Sequence, residues 1–154
     1  MRGISFKIPN KYTNLFDNIL KNIDVTKYFW YNDEHSNQIF IEKPKKDKCF
    51  YFEKKFYSGK EFKNKIKTKE NYFVFLAKLQ AQLTDVFQEI NTYKDFLESN
   101  CELLVLIVDS VYAEIYVKNN ETIKKIEENA KNNNYTEINY ITEENDGRTK
   151  LSVL

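Results

Sequence analysis

The segment Leu103–Val117 constrains the fold most. Leu103 to Val108 is an unbroken apolar run, and by composition it is a central strand. Val111, Ala113, Ile115 and Val117 then alternate with Tyr112, Glu114, Tyr116 and Lys118. Asp109-Ser110 joins the two halves tightly enough to predict an antiparallel hairpin. The apolar run is six residues long, far short of the roughly 20 that span a bilayer. A chain built around such a hairpin needs more sheet and a layer of helices to cover it.

Further strands and helices are legible on either side. Ile4, Phe6 and Ile8 share one face of an opening strand that Pro9 stops. Tyr12, Leu15, Phe16, Ile19, Leu20 and Ile23 recur at helical spacing, which predicts an amphipathic helix capped by Asn10. Thr26–Tyr31 and Gln38–Glu42 read as two strands of a hairpin around the polar turn 32–37. Cys49–Glu53 is a further strand. Ser58 with Glu61 forms a capping box for a helix to about Lys67. Asn71–Gln82 is a long strand, alternating Phe73, Phe75, Ala77, Leu79 and Ala81 against Tyr72, Val74, Leu76, Lys78 and Gln80. A short helix is expected at Thr92–Ser99, one from Asn120 to Asn133, and a closing strand at Tyr135–Ile141. Hairpin links beside helical crossovers give a single α+β domain over 1–154. Its sheet is mostly antiparallel or mixed, with three to four helices packed mainly on one face.

At 154 residues, with 42% hydrophobic and 16% aromatic content, the chain can bury a core without disulfide or metal. Phe and Tyr carry the load that Leu and Val usually share. Cys49 and Cys101 are solitary and read as free thiols in a cytoplasmic protein. The start of the chain lacks the apolar core of a secretory signal. Abundant Lys and Asn with scarce Arg fit an AT-rich genome.

Catalytic equipment is sparse. His35 is the one histidine and lies in the polar turn Asp33-Glu34-His35, which reads as solvated rather than metal-ligating. Gly3, Gly59 and Gly147 are isolated, so no phosphate-cradling glycine loop exists, and Gly59-Lys60 reads as a turn entering a helix. Glu53-Lys54-Lys55, with Asp33 or Asp47 upstream, resembles the acid-x-Lys of a metal-dependent nuclease, but 23 acids and 24 bases make such matches common by chance. Asp109 reads as a turn residue capping the Tyr112 amide, ahead of an active-site acid at a strand end. No cofactor is expected.

Charge is laid out in blocks. Residues 43–69 carry 11 Lys and three acids, net +8; residues 85–146 carry 14 acids and five Lys, net −9. Lys45, Lys46, Lys48, Lys54, Lys55 and Lys60 form a candidate basic binding face. Aromatics interleave with these lysines, which admits nucleic acid. The absence of Arg from the segment and the acidic second half disfavour it. A protein partner is expected, and no membrane.

Arg2-Gly3-Ile4-Ser5-Phe6 with Ile8-Pro9-Asn10, and Asp24-Val25-Thr26-Lys27-Tyr28 with Trp30-Tyr31, resemble the opening of an uncharacterised family of low-GC Gram-positive bacteria. Leu104–Tyr116 and the close Glu144-Asn145-Asp146-Gly147-Arg148-Thr149-Lys150-Leu151-Ser152 are similar to its second half. The segment 43–70 departs most. The resemblance implies a bacterial cytosolic domain and brings no catalytic residue. Together these features suggest a non-enzymatic interaction protein of bacteria or phages, of immunity or inhibitor type. The alternatives are a metal-dependent nuclease, or a small-ligand binder with a pocket of Tyr and Phe.

Overall fold

The structure, a computed structural model, describes residues 1–45 and 48–154, and the side chains of all of these but 45, 48 and 49. Its strands are β1 (Gly3–Lys7), β2 (Phe29–Asn32), β3 (Gln38–Lys45), β4 (Lys48–Phe50), β5 (Phe56–Tyr57), β6 (Tyr72–Gln82), β7 (Cys101–Val108), β8 (Tyr112–Val117) and β9 (Thr136–Ile141). Its helices are α1 (Leu15–Ile19), α2 (Gly59–Ile66), α3 (Tyr93–Glu98) and α4 (Asn120–Asn132). The strands form one sheet in the order β4-β3-β6-β7-β8-β1-β9, and β2 with β5 lies beside the second half of β6. Every pairing among the described residues is antiparallel. This is the expected α+β class, with the sheet antiparallel rather than mixed.

The Leu103–Val117 hairpin forms as expected, with Val108 opposite Tyr112. Asp109 and Ser110 both take positive φ, and Ser110 N donates to Phe75 O at 2.9 Å. The turn closes through Val111 N to Val108 O. No Asp109 side-chain bond to the Tyr112 amide exists among the described residues, so Asp109 shapes the turn by backbone conformation alone. Gly3 lets β1 approach β8 closely: a Cβ there would meet Ile115 O at 2.0 Å.

The two sheet faces are unequal. The main face holds the large core. Leu103, Val105, Ile107, Ala113, Ile115, Ile4 and Phe6 lie beneath Phe16 of α1, Phe62 and Ile66 of α2, and Ile123 and Ile126 of α4. The second face is covered by less: Phe96 of α3, Ile90 from the 83–92 segment, and Leu151 and Val153 of the C-terminal tail rest on Leu104, Leu106, Tyr116 and Ile141. Three helices therefore share one face and α3 takes the other.

Three expectations change. The strands β2 and β3 do not form a hairpin with each other. Both pair with one edge of β6, β3 on its first half and β2 on its second. The turn between them docks on β6 instead, with Asn37 Oδ1 accepting from Lys78 N at 2.6 Å and Asp33 N donating to Lys78 O at 3.2 Å. Next, β6 does not alternate throughout. Gln38 pairs with Leu76 but Ile39 with Val74, which leaves Phe75 as an extra residue. That bulge puts Tyr72 and Val74 on the same face as Ala77, Leu79 and Ala81. Finally, α1 is one short turn and not the long helix its spacing suggests. Thr13 is drawn into a bridge with Tyr72, the Tyr72 hydroxyl accepts from Phe16 N at 2.8 Å, and Asn22 at φ 64° ends the turn. Leu15, Phe16 and Ile19 are nonetheless buried as the periodicity implies. The Ser58–Glu61 capping box of α2 is present, while α4 is capped by Asn119 rather than Asn120.

Candidate functional site

Lysines of the basic segment pair with acids near them in sequence and with the distant Asp17. Lys54 forms an ion pair with Glu61 and lies 5.1 Å from the Tyr57 ring. Lys65 reaches Glu53 and Glu70, each at 3.8 Å, and Lys67 reaches Asp17 at 2.8 Å. Lys55 is half-buried and Lys60 exposed. Lys46, and the side chains of Lys45 and Lys48, lie outside the described residues, as do Asp47 and the Cys49 thiol. Glu61 is held down at about 2, first by the Lys54 ammonium and then by the Ser58 N–H.

The other chemical candidates do not gather. His35 is exposed, its N–H donating to Asp33 Oδ1 at 3.2 Å in an Asx turn that also takes the Ser36 hydroxyl. Among the described residues no three His, Cys, Asp or Glu side chains converge on a common point. A Cβ at Gly59 would meet Thr26 O at 2.3 Å, so the α2 entry is packed shut against the 3-10 turn Val25–Lys27 and leaves no anion cradle. Cys101 is buried, and burial pushes its thiol up to about 12, away from thiolate chemistry.

Two surface features stand out, at opposite ends of the second face. At the β8-β1-β9 end one carboxylate takes the Arg2 side chain and the Arg148 backbone N–H, and the Arg148 side chain pairs with a second carboxylate. Asp146, with its side chain 2% exposed, takes Arg2 Nη1 at 3.1 Å on Oδ2 and the Tyr116 hydroxyl at 3.0 Å on Oδ1. Arg148 N donates to Oδ1 at 3.1 Å, while its Nε reaches Glu114 at 2.9 Å and its Nη1 the Ser152 carbonyl at 2.7 Å. The Arg2 guanidinium also stacks 4.0 Å from the Tyr93 ring centroid. Among the described residues no buried side-chain nitrogen or oxygen of this clasp lacks a partner, and it ties the tail to the sheet. Burial, then the Asp146 charge, raises the Tyr116 hydroxyl well above its ordinary value.

At the β2-β5 end the arrangement is the reverse. Phe29, Phe56, Leu83, Val86 and Phe87 are 37–64% exposed. Phe56 and Phe87 flank Tyr31, whose ring lies 5.3 Å from the first and 4.1 Å from the second. Phe29 and Tyr31 alternate with buried Trp30, which stacks on Phe62 at 3.9 Å on the main face. Asp33, Glu34 and Glu89 are close enough to raise the Tyr31 hydroxyl, after burial. With Asp85 they make an acidic rim. A cleft of about 170 Å³ opens here between Phe29, Tyr31, Phe56 and Tyr57, with Gln82 and Asp85 among its walls. Farther along β6, Lys78 is 7% exposed, donates to Ile90 O at 2.6 Å, and is held below its usual value by burial. Sequence reasoning singled out none of these aromatics as a surface. The available signal was the unbroken run Phe29-Trp30-Tyr31, which puts an aromatic on both faces of an edge strand.

The fold and surface define a class: a single-sheet, antiparallel α+β domain with an exposed aromatic edge. The chain belongs to a family described as protein of unknown function (DUF2691), whose model matches residues 1–152. It is 34% identical over 152 residues to the uncharacterized protein YncE of Bacillus subtilis (strain 168), covering 99% of each chain. No solved structure matches. Among the described residues no helix is long and apolar enough to cross a membrane.

Proposed function

We propose that this chain is a non-enzymatic interaction protein that binds a protein partner through the aromatic end of its sheet. The observation that carries this is the exposure of Phe29, Phe56, Leu83, Val86 and Phe87, of which Phe56 and Phe87 flank Tyr31. Contiguous apolar surface rimmed by polar groups is costly to leave in water and marks contact sites. The acidic rim of Asp33, Glu34, Asp85 and Glu89 favours a partner that presents apolar anchors in a basic surface. The lysine face has weaker support, because Lys54 is already committed to Glu61. Immunity-type and inhibitor-type roles are forms that such binding takes.

Tagged chain expressed in Bacillus subtilis tests the reading against its own variants. The expected result is a protein recovered with the parent chain and with Lys124→Glu on α4, but lost with Phe56→Ser/Phe87→Ser. The same recovery from all three, or none from any, overturns it. A second copy of this chain as the recovered partner also overturns the heterologous reading.

A further inference from the structure

The clasp shows how this chain completes an aromatic ring that lies beside a carboxylate. The Arg2 guanidinium stacks 4.0 Å from the Tyr93 ring centroid while its Nη1 donates to Asp146 Oδ2 at 3.1 Å. The aromatic end has rings and carboxylates of its own but, among the described residues, no cation that reaches Asp85. Phe29, Tyr31 and Phe56 line the cleft together with Asp85, whose exposed carboxylate makes no hydrogen bond or ion pair among the described residues. Glu61, at the same cleft, is taken by Lys54 and by the Ser58 N–H. Asp33, Glu34 and Glu89 add to the negative field around Tyr31. The two arginines of the chain, Arg2 and Arg148, are both engaged at the clasp, so a guanidinium for the open end must come from outside.

We propose, resting on the reading above, that this cleft takes an arginine side chain of the protein partner, its guanidinium laid against the aromatic walls and paired with Asp85. Charge complementarity selects a cation. A neutral or acidic anchor docked here would strip water from the Asp85 carboxylate and give nothing back. The rings then select guanidinium over ammonium. A guanidinium is flat and weakly hydrated, so it stacks on a ring face and still turns N–H groups toward a carboxylate, as Arg2 does between Tyr93 and Asp146. An ammonium is a compact, strongly hydrated point charge and loses more on entering such a site. The space is about 170 Å³, and cavities on the order of 150 Å³ already accept a planar group as large as benzene.

Titration of the ¹⁵N-labelled full chain with N-acetyl-L-argininamide, N-acetyl-L-lysinamide and N-acetyl-L-citrullinamide, each separately, tests the assignment. Citrulline keeps the shape of arginine and removes its charge. The arginine probe is expected to bind with a Kd on the order of ten millimolar and to move the backbone amide signals of Tyr31, Phe56 and Asp85. The lysine probe should bind roughly threefold more weakly, and the citrulline probe roughly tenfold. Asp85→Asn removes a charge and no bond within the chain, so it should leave the spectrum folded and weaken the arginine probe roughly threefold. Lysine or citrulline binding as tightly as arginine, an Asp85→Asn chain that binds the arginine probe unchanged, or no movement of these signals at about 100 mM of that probe overturns the proposal. If that happens while capture still depends on Phe56 and Phe87, the arginine anchor is wrong and the partner reading stands. If capture has lost that dependence as well, both fall.

Discussion

The two ends of the second sheet face solve the same problem in opposite ways. At the β8-β1-β9 end, Asp146 gathers the Arg2 side chain, the Arg148 backbone N–H and the Tyr116 hydroxyl, and no buried side-chain donor or acceptor among the described residues of the clasp is left over. At the β2-β5 end, five large apolar side chains face solvent and Gln82 keeps an unanswered donor. A chain that satisfies one end so fully has the means to satisfy the other. The difference therefore separates a part that holds the fold from a part left open for contact.

The comparison predicts that substitutions at the two ends differ in kind. The largest effect is on the shared core. Tyr51 and Tyr72 are raised mainly by burial, so folding favours their protonated forms. Their contribution is fully present below the unfolded tyrosine value of 10.0 and is lost as pH rises past it toward the raised folded values. Circular dichroism and tyrosinate absorbance followed together above pH 10 should show these tyrosines ionising only as the chain unfolds. Their titration near 10 in the folded chain would contradict the packing. Phe62→Ala, which removes the ring stacked on Trp30, should cost about 4 kcal/mol in urea unfolding.

Next comes the clasp. Asp146→Ala strands the Arg2 guanidinium, the Tyr116 hydroxyl and the Arg148 backbone N–H and should cost about 3 kcal/mol. A loss below about 1 kcal/mol would mean that the clasp is ornamental and would blur the contrast. The open end should behave oppositely. Phe56→Ser should change stability by no more than about 0.5 kcal/mol, the range of exposed substitutions. Gln82→Met should be neutral or mildly stabilising, because it removes an unpaired buried donor. A large destabilisation from either would show that this end, too, is structural.

What the sequence revealed follows the same division. Period-two alternation located β1 and β8, an unbroken apolar run located β7, and the capping box located α2, because local pattern alone sets these elements. Three features depend on distant residues and were not legible. Whether β2 pairs with β3 or with β6 depends on Asn37 reaching Lys78. The facing of Tyr72 depends on a bulge at Phe75 opposite β3. The length of α1 depends on the Thr13–Tyr72 bridge. The candidate surface was hidden for a related reason. Aromatics count as core in a composition, and only the sheet order shows that Phe29 and Phe56 flank an edge. Asp146 is bound by Arg2 from 144 residues away, a pairing that no local pattern announces. The charge blocks stand in the sequence, but Lys54 and Lys65 of the basic block reach acids of their own neighbourhood.

The most direct measurement places a photo-crosslinking phenylalanine analogue at position 56 in one chain and at position 140, beside the clasp, in another. Both sites are exposed aromatics, at 50% and 36%. The account predicts a discrete protein adduct from position 56 and none from position 140. The same adduct from both positions, or an adduct from position 140 alone, would contradict it.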